Sequence, residues 1–281
     1  MKYLDLTVLF VDSMPSRVYM AMLKKQGLIP NKIIYIDIVE PTSRKFNLLK
    51  SIVGGFLAKK AYILYKYLNV RKTYTLGQRL LSEFELTYND LNFDIFKYPA
   101  YEVDKVVVTG LGDLCFFEKI LNEYNKTFLF TGGGILKKNL LSIPNSKFIH
   151  IHPGLVPDIK GADCFFWSCL MKKKPGFSVF YMNPGIDTGD IIYSKEYEFQ
   201  YSEDKYGKYS NNDIYRALLD FYDPALRMLT LIELIKDSGR LNEDIKFDQF
   251  KSIQQDPTDG RTFFFMHKVM RNYVIDNLKV K

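Results

Sequence analysis

Two of the three histidines of the chain, His150 and His152, stand two residues apart at the end of the apolar run Lys147–Ile151. Alternate residues of a β-strand point to the same face of a sheet, so both imidazoles are expected on one face where the strand ends. The loop that follows is rich in proline and glycine: Pro153, Gly154, Pro157 and Gly161. Because open α/β sheets bind ligands beyond the carboxyl ends of their strands, this pattern predicts a functional site here.

A second group with chemical potential is the glycine-rich acidic loop Asn183–Asp190, which lies between two apolar runs. Glycine lets the backbone approach a ligand closely. A carboxylate such as Asp187 can stand beside a histidine, and the two groups together can shuttle a proton. Asp190 is expected to satisfy backbone amides of its own loop rather than to take part in catalysis.

Each of these features also has an ordinary structural interpretation. A histidine near a strand end is often a hydrogen-bonded structural residue, and a loop of glycine and aspartate is often a tight turn. Because the chain has only three histidines, the placement of two of them beside a His-Pro loop favours the functional interpretation.

The order of the motifs, HxHPGLxPxxxG, then a helix, then GxxVxxMxxGIDTGDII, resembles the catalytic region of the folate-dependent formyltransferases. The resemblance extends from about Val103 to Phe199 and is only architectural before that. This family includes glycinamide ribonucleotide transformylase, methionyl-tRNA formyltransferase and the sugar N-formyltransferases. The resemblance implies a transferase that takes a formyl group from 10-formyltetrahydrofolate as co-substrate and uses no metal.

The resemblance further implies that backbone groups of two loops bind the pterin ring of the folate. The residues concerned are Gly133, Gly134, Ile135 and Leu136 in the first loop, and Asn183, Gly185 and Asp187 in the second. Glycines in the first loop would let the backbone come close to a flat ring. The alternative is an ordinary glycine turn after the strand Thr127–Thr131.

Catalytic roles for three side chains also follow from the resemblance. His152 assists transfer at the formyl carbon and stabilises the tetrahedral intermediate. Asp187 orients His152 and helps move the proton from the attacking amine. The family usually has an asparagine two residues before this histidine, as hydrogen-bond donor to the oxyanion, and this chain has His150 there. A ring N–H can donate to the same oxygen, but it is bulkier, and its protonation is expected to vary near neutral pH.

The elements that must position these residues can be read from the alternation of apolar runs and helical spacing. The runs predicted as strands are Leu6–Val11, Lys32–Ile38, Lys105–Thr109, Thr127–Thr131 and Lys147–Ile151. A repeated β-then-α order favours a doubly wound, mainly parallel α/β sheet of Rossmann type. Between the second and third strands, an insertion at about 41–100 includes helix-like Phe46–Leu57 and Lys60–Leu68. It is expected to be either a packing decoration or a lid.

Two domains are expected, a catalytic domain over 1–200 and a partly helical C-terminal extension over 201–281. The extension is predicted to contain a long helix over Asn212–Lys236, bent at Pro224, then a turn at Asp256–Gly260 and a final helix. Lys160, Asp163 and Trp167, close to the His-Pro loop, are candidates to meet the acceptor, although Trp167 is expected to be core.

Composition limits the class of protein. The chain has 281 residues, of which 47% are hydrophobic and 25% charged, as in an ordered globular protein, and its net charge of +7 suits an anionic ligand without requiring nucleic acid. Cys115, Cys164 and Cys169 form no CxxC pair, which predicts a reducing compartment and no zinc site. The run Leu6–Val11 is too short for a signal peptide or a membrane span, so a cytoplasmic protein without a membrane partner is expected.

The expected acceptor is the amine of a small molecule. The segment Gln255–Phe263 resembles the tail of the sugar N-formyltransferases, which implies a nucleotide-linked amino sugar and a place in carbohydrate biosynthesis. The tail lacks a dense basic stripe, so no nucleic acid partner is expected. The open alternatives are an enzyme like methionyl-tRNA formyltransferase and a non-catalytic folate or sugar-nucleotide binding protein. The aromatic residues Phe263–Phe265 and Tyr273 are either a homodimer contact or ordinary core.

Overall fold

The structure, a computed structural model, describes residues 2–39, 72–123, 126–202, 208–240, 244–256 and 258–280. Its strands are β1 (Lys2–Val11), β2 (Leu28–Ile38), β3 (Glu102–Val108), β4 (Thr127–Phe130), β5 (Lys147–His152), β6 (Ile159–Gly161), β7 (Gly176–Tyr181), β8 (Ile191–Glu196), β9 (Tyr201–Ser202), β10 (Ile245–Lys246), β11 (Arg261–Phe263) and β12 (Lys279–Val280). Its helices are α1 (Met14–Lys25), α2 (72–81), α3 (Tyr88–Leu91), α4 (Leu114–Leu121), α5 (Lys138–Leu141), α6 (Cys164–Lys172), α7 (Asn211–Ala217), α8 (Asp223–Asp237) and α9 (Lys268–Asn277).

The main sheet has the strand order β3–β2–β1–β4–β5–β7–β8, with β10 beside the start of β1. The pairs from β3 to β5 are parallel, and β7 runs antiparallel to both β5 and β8. The predicted mainly parallel, doubly wound α/β fold is therefore confirmed. The antiparallel pair at one side brings the strand before Asn183–Asp190 directly beside the strand that carries both histidines.

Both faces of the sheet are covered by helices, which explains the nearly continuous apolar character of its central strands. One core includes Ile149 and Ile151 of β5 together with residues of α1 and α8. The core on the other face includes Phe148 with residues of α4 and α5. Since Ile149 and Ile151 take the first face, alternation sends His150 and His152 to the second.

The predicted long helix is present, but it contains an irregular turn. It begins at Asn211, where Ser210 and Asp213 form a reciprocal cap, and it ends at Asp237. A π-helical turn over Leu218–Tyr222 precedes Pro224, which cannot donate a backbone hydrogen bond. The helix type therefore changes just before the proline, while the expected bend at Pro224 stays a prediction.

The predicted helices Phe46–Leu57 and Lys60–Leu68 lie outside the described residues. The described part of the insertion, 72–100, packs against the same core as α1 and α8 through Leu76, Leu80 and Leu91. Tyr98 adds a hydrogen bond from its hydroxyl to the carbonyl oxygen of Met20, at 2.8 Å. This part of the insertion is packed onto the fold.

The C-terminal extension shares the main sheet. Helix α8 contributes to the core below β5, and β10 pairs in parallel with β1, with Leu4 opposite Ile245. Strand β11 pairs with β6, and β12 pairs with β9. The proposed division at residue 200 stays a prediction, but these contacts show that the extension is packed against the strands that position the histidines.

Candidate active site

The His-Pro loop turns back sharply after β5 and places its own backbone against the second histidine. The side chain of His152 is buried, and its Nε2 lies 3.1 Å from the carbonyl oxygen of Ile159. A Cβ on Gly154 would lie 2.5 Å from that carbonyl oxygen and 2.8 Å from the same Nε2. Only glycine fits at this close approach, which accounts for the glycine in the motif.

The acidic loop is wound around one of its own side chains. Asn183 Oδ1 accepts hydrogen bonds from the Gly185 N–H at 3.0 Å and from the Thr188 hydroxyl at 2.7 Å, and its Nδ2 donates to the carbonyl oxygen of Thr188 at 3.0 Å. This winding leaves Asp187 with a left-handed backbone, at φ 52°. Asn183, predicted as a folate-binding residue, therefore has a structural function within the loop as well.

Asp190 has a smaller part in the loop than the sequence suggested. Its backbone carbonyl accepts a hydrogen bond from the Tyr181 N–H at 3.0 Å, and its side chain is exposed. The loop amide of Gly185 is satisfied by Asn183 instead. The expectation that the Asp190 carboxylate satisfies the loop amides finds no support in these contacts.

The structure brings His152 and Asp187 together. His152 Nδ1 lies 3.5 Å from Asp187 Oδ2, and the same carboxylate oxygen accepts a hydrogen bond from the Gly161 N–H at 2.8 Å. The two loops thus meet at one carboxylate. A histidine whose two ring nitrogens face a carbonyl and a carboxylate is arranged for proton transfer.

Desolvation favours the neutral form of both histidines, of which His152 is buried and His150 is half-buried. Desolvation lowers the pKa of His150 to about 3, and the positive charge of Arg227 acts in the same direction. Desolvation also lowers the pKa of His152, although the nearby Asp187 carboxylate opposes it. The sequence-based expectation that the protonation of His150 varies near neutral pH is therefore wrong, because burial was not visible in the sequence.

The positive charge that lowers the pKa of both histidines is that of Arg227, which forms an ion pair with Asp223 on the opposite face of β5. Arg227 donates to Asp223 at 2.8 and 2.5 Å, and its Nη1 lies 3.3 Å from the carbonyl oxygen of Ile151. Burial opposes the charge on Arg227, but the Asp223 carboxylate raises its pKa above the ordinary value. Sequence reasoning missed this pair. The signal was available as opposite charges four residues apart in the mainly apolar first half of a helix.

The two loops predicted to bind folate line the same cleft. This cleft has an empty volume of about 520 Å³ and has His150 in its lining. Of the predicted binding residues, those that line it are Gly134, Ile135, Leu136, Asn183, Gly185 and Asp187. Gly133 does not belong to the lining.

The apolar wall of the cleft was not predicted. It consists of Phe130, Leu141, Phe180, Met182, Pro184 and Ile186. Phe130 and Phe180 belong to strands in the structure, and their position near strand ends was the available signal. Together with Ile135, they give the cleft the apolar surface that an aromatic ligand requires.

The residues proposed to meet the acceptor contact the C-terminal extension instead. Asp163 accepts hydrogen bonds from the Tyr215 hydroxyl at 2.9 Å and from the Met266 N–H at 2.8 Å. Lys160 Nζ donates to the carbonyl oxygen of Asp259 at 2.5 Å. Trp167 stacks on Phe263 with ring centroids 4.6 Å apart, in agreement with its expected core position. These contacts give all three residues structural functions.

Two further properties of the described residues bear on the kind of site. Within residues 2–39, 72–123, 126–202, 208–240, 244–256 and 258–280, no group of three or more His, Cys, Asp or Glu side chains is placed to hold a metal ion. In the same part of the chain, no helix combines the length and the apolar character needed to cross a membrane.

Comparison with known proteins places this site within a matched region. Residues 104–213 match the family model described as Formyl transferase, and this range includes both loops of the site. A methionyl-tRNA formyltransferase from Clostridium botulinum is 33% identical over 119 residues, which cover 41% of this chain and 37% of the relative. One from Syntrophus aciditrophicus is 31% identical over 100 residues, covering 34% and 32%. The chain therefore spans about a third of the length of these curated relatives.

A solved structure shows similarity over a greater length at lower identity. The crystal structure of a 4-N formyltransferase from Francisella tularensis aligns with 98% of this chain and 86% of its own, at 14% sequence identity and a TM-score of 0.47.

Proposed function

We propose that the whole protein, whose residues 104–213 match the formyl transferase family model, transfers a formyl group from 10-formyltetrahydrofolate to the amine of a small molecule. One observation carries this proposal. His152 Nδ1 and Asp187 Oδ2 lie 3.5 Å apart, and Asp187 also lines the cleft formed by the two predicted folate loops. Proton transfer groups and an apolar binding surface therefore meet at one carboxylate.

The cleft suits a flat heteroaromatic ring in its chemistry. Ile135 and Ile186 offer exposed apolar surface, while the loops of Gly134–Leu136 and Asn183–Asp187 offer backbone donors and acceptors. A pterin has hydrogen-bonding groups around its edge and apolar faces, so backbone groups can bind the edge while side chains cover the faces. This complementarity supports folate as the formyl donor.

The hydrogen bonds of His152 indicate where a proton can be received. A neutral imidazole has a single N–H, and the contact at 3.1 Å to the Ile159 carbonyl assigns that proton to Nε2. Nδ1 is then an acceptor that faces the Asp187 carboxylate, which is also an acceptor. Two acceptors 3.5 Å apart have no proton between them, and an amine that approaches both from the side can donate N–H groups to them.

The reaction then follows from this geometry. The amine nitrogen attacks the formyl carbon, and the new C–N bond turns the carbonyl into a tetrahedral oxyanion. The amine proton passes to the acceptor pair formed by His152 and Asp187. Collapse of the intermediate breaks the bond to N10 of the folate, which takes up that proton, so tetrahydrofolate and a formamide are the products.

His150 is the proposed donor to the oxyanion, in place of the asparagine usual in the family. Its Nδ1 is buried and has no hydrogen-bond partner among the described residues. A buried N–H without an acceptor is costly, so the neutral ring is expected to carry its proton on Nε2. The single N–H of the neutral ring has the backbone of Phe130 as its acceptor, so donation to a formyl oxygen in the cleft requires the ring to exchange that partner for the substrate. A donor of this kind is worth about 10²–10³ in rate.

We further propose a nucleotide-linked amino sugar as the acceptor, on the basis of the tail Gln255–Phe263 and of the net charge of +7, which favours phosphate groups. The relatives that are 31% and 33% identical to this chain are methionyl-tRNA formyltransferases, so methionyl-tRNA is the second candidate. A cytoplasmic location and a homodimer remain predictions.

The test is a turnover assay with 10-formyltetrahydrofolate and a panel of nucleotide-linked amino sugars, with methionyl-tRNA as a further acceptor. We expect amine-dependent release of tetrahydrofolate, reduced by about 10²–10⁴ in His152→Ala. His267→Ala is the matched control, because it removes an exposed histidine outside the site. Tight folate binding without turnover on any amine would contradict the transferase and indicate a binding protein.

A further inference from the structure

A segment of the C-terminal extension crosses both loops of the candidate site. We call residues 253–256 and 258–266 the strap. Its first contact is with the residue that follows the acidic loop, where Ile253 and Ile191 of β8 exchange two backbone hydrogen bonds of 2.7 and 2.8 Å. The strap therefore begins at the point where the acidic loop enters β8.

Gln255 makes the next contact, from a buried position with 6% of its surface exposed. Its side-chain Nε2 donates a short hydrogen bond to the carbonyl oxygen of Gly189 and lies 3.4 Å from the carbonyl oxygen of Asp187. A primary amide nitrogen has two N–H groups, so a single side chain can serve both carbonyls. One of these carbonyls belongs to the residue whose carboxylate faces His152.

The strap then continues along the His-Pro loop. The Arg261 N–H donates to the carbonyl oxygen of Asp158 at 3.1 Å, and a Cβ on Gly260 would lie 1.7 Å from the carbonyl oxygen of Pro157. Strand β11 pairs with β6, with Phe263 opposite Gly161. Gly161 is the residue whose N–H donates to Asp187 Oδ2, so this pairing also ends at the catalytic carboxylate.

The contacts of Gln255 favour a positioning function over a general contribution to stability. Its two donors face carbonyl oxygens of the acidic loop, whereas its Oε1 is buried and lacks a hydrogen-bond partner in the part of the chain that the structure describes. A buried acceptor without a partner reduces the stability gained from the residue. The donors remain, and they hold the backbone on both sides of Thr188.

We propose that Gln255 is a positioning residue of the active site, which sets the separation of His152 and Asp187 by holding the backbone of the acidic loop against the strap. The kinetic part of this proposal rests on the proposed formyl transfer, whereas its structural part does not. A displacement of about 1 Å in such a pair typically costs on the order of 10² in rate.

The test compares Gln255→Glu with Gln254→Glu, which makes the same change at the adjacent exposed residue. The first variant replaces the two donors with a carboxylate that faces two carbonyl oxygens. We expect its kcat to fall about 10²-fold, and amide hydrogen exchange in 183–190 to become at least about 10-fold faster than in the wild type at pH 8, because the loop loses its tether. Gln254→Glu is expected to match the wild type in both measurements.

The pH dependence separates positioning from simple destabilisation. A protonated carboxyl group has one O–H, which can donate to one of the two carbonyls. As the pH falls, the introduced carboxyl takes up a proton. The kcat and the loop exchange rate of Gln255→Glu should therefore come closer to those of the wild type. A variant that is merely less stable would not recover in acid.

Each outcome decides the proposal. The proposal is overturned if Gln255→Glu has the kcat of the wild type and the wild-type rate of amide exchange in 183–190. The same holds if the variant has a lower melting temperature but an unchanged kcat and an unchanged exchange rate. Should this variant fail to fold, Gln255→Met removes the donors without adding charge, and it must still show faster exchange in 183–190. If the wild type transfers no formyl group, the proposed function fails, while the exchange measurement still decides whether Gln255 holds the loop.

Discussion

The two ends of the cleft differ in what they are made of. At the inner end, His150 and Asp187 lie beside the buried His152, and the backbone of β6 contacts both His152 and Asp187. At the outer end, Ile135 and Ile186 expose 76% and 53% of their surface. In the proposed reaction the inner groups face the atoms whose charge changes during transfer, so they should control kcat. The outer groups offer apolar surface to the ground state and the transition state alike, so they should control KM.

The comparison predicts its largest effect at Asp187. Asp187→Asn keeps an oxygen that can accept from the Gly161 N–H, but it replaces the carboxylate that faces His152 Nδ1. We expect kcat to fall by about 10²–10⁴ with little change in KM for the folate. Steady-state kinetics with the folate varied will measure both constants. An unchanged kcat would remove Asp187 from the chemistry.

His150 should have the next largest effect, and a specific substitution should restore it. His150→Ala removes the proposed oxyanion donor and should lower kcat by about 10²–10³. His150→Asn supplies an amide donor at the same position and should keep most of the activity. Equal losses in the two variants would show that the ring is required for its shape and not for its hydrogen bond.

The burial of His150 also predicts how stability changes with pH. Its pKa is lowered to about 3 in the folded protein, against 6.5 for an ordinary imidazole. Between these values the unfolded chain takes up a proton that the folded chain does not, so the free energy of unfolding falls as the pH drops from about 6.5 toward 3. Between pH 7 and pH 5, the melting temperature of His150→Asn should therefore fall less than that of the wild type, by a few degrees.

The control for that measurement is His267→Asn, which changes an exposed histidine. It should lose as much melting temperature as the wild type over the same pH range. If His150→Asn behaves in the same way as the wild type, His150 is not held neutral by burial.

The smallest effect is expected at the outer end. Ile135→Ala and Ile186→Ala remove exposed apolar surface that a bound ring would cover, which should weaken folate binding by about 1 kcal/mol, or about fivefold in KM. The kcat at saturating folate should stay at the wild-type value. A loss confined to kcat would contradict the division of the cleft into two functional ends.

The residues at the inner end of the site were easier to predict than the residues that hold them in position. His150 and His152 share a face because a strand alternates, and the distance between the two loops follows from the antiparallel pairing of β5 with β7. The motif order was sufficient to place Asp187 beside His152. The parallel sheet was equally accessible, because its buried strands are continuous apolar runs.

Three features of the site could not be predicted from the sequence, each for a physical reason. The contact of Gln255 with the acidic loop joins residues more than sixty positions apart, and local periodicity carries no information about such a pair. Phe130 and Phe180 have the same character as core residues until the fold shows that a cleft opens beside them. The lowered pKa of His150 depends on burial and on Arg227 across the sheet.

The most direct test of the central claim follows the formyl carbon itself. Donor labelled in the formyl group is mixed with an amino-sugar nucleotide, and both products are quantified in wild type and in His152→Ala. We predict that labelled formamide appears in a one-to-one ratio with tetrahydrofolate in the wild type, and that His152→Ala reduces both together. Release of tetrahydrofolate with labelled formate and without labelled formamide would contradict transfer to an amine.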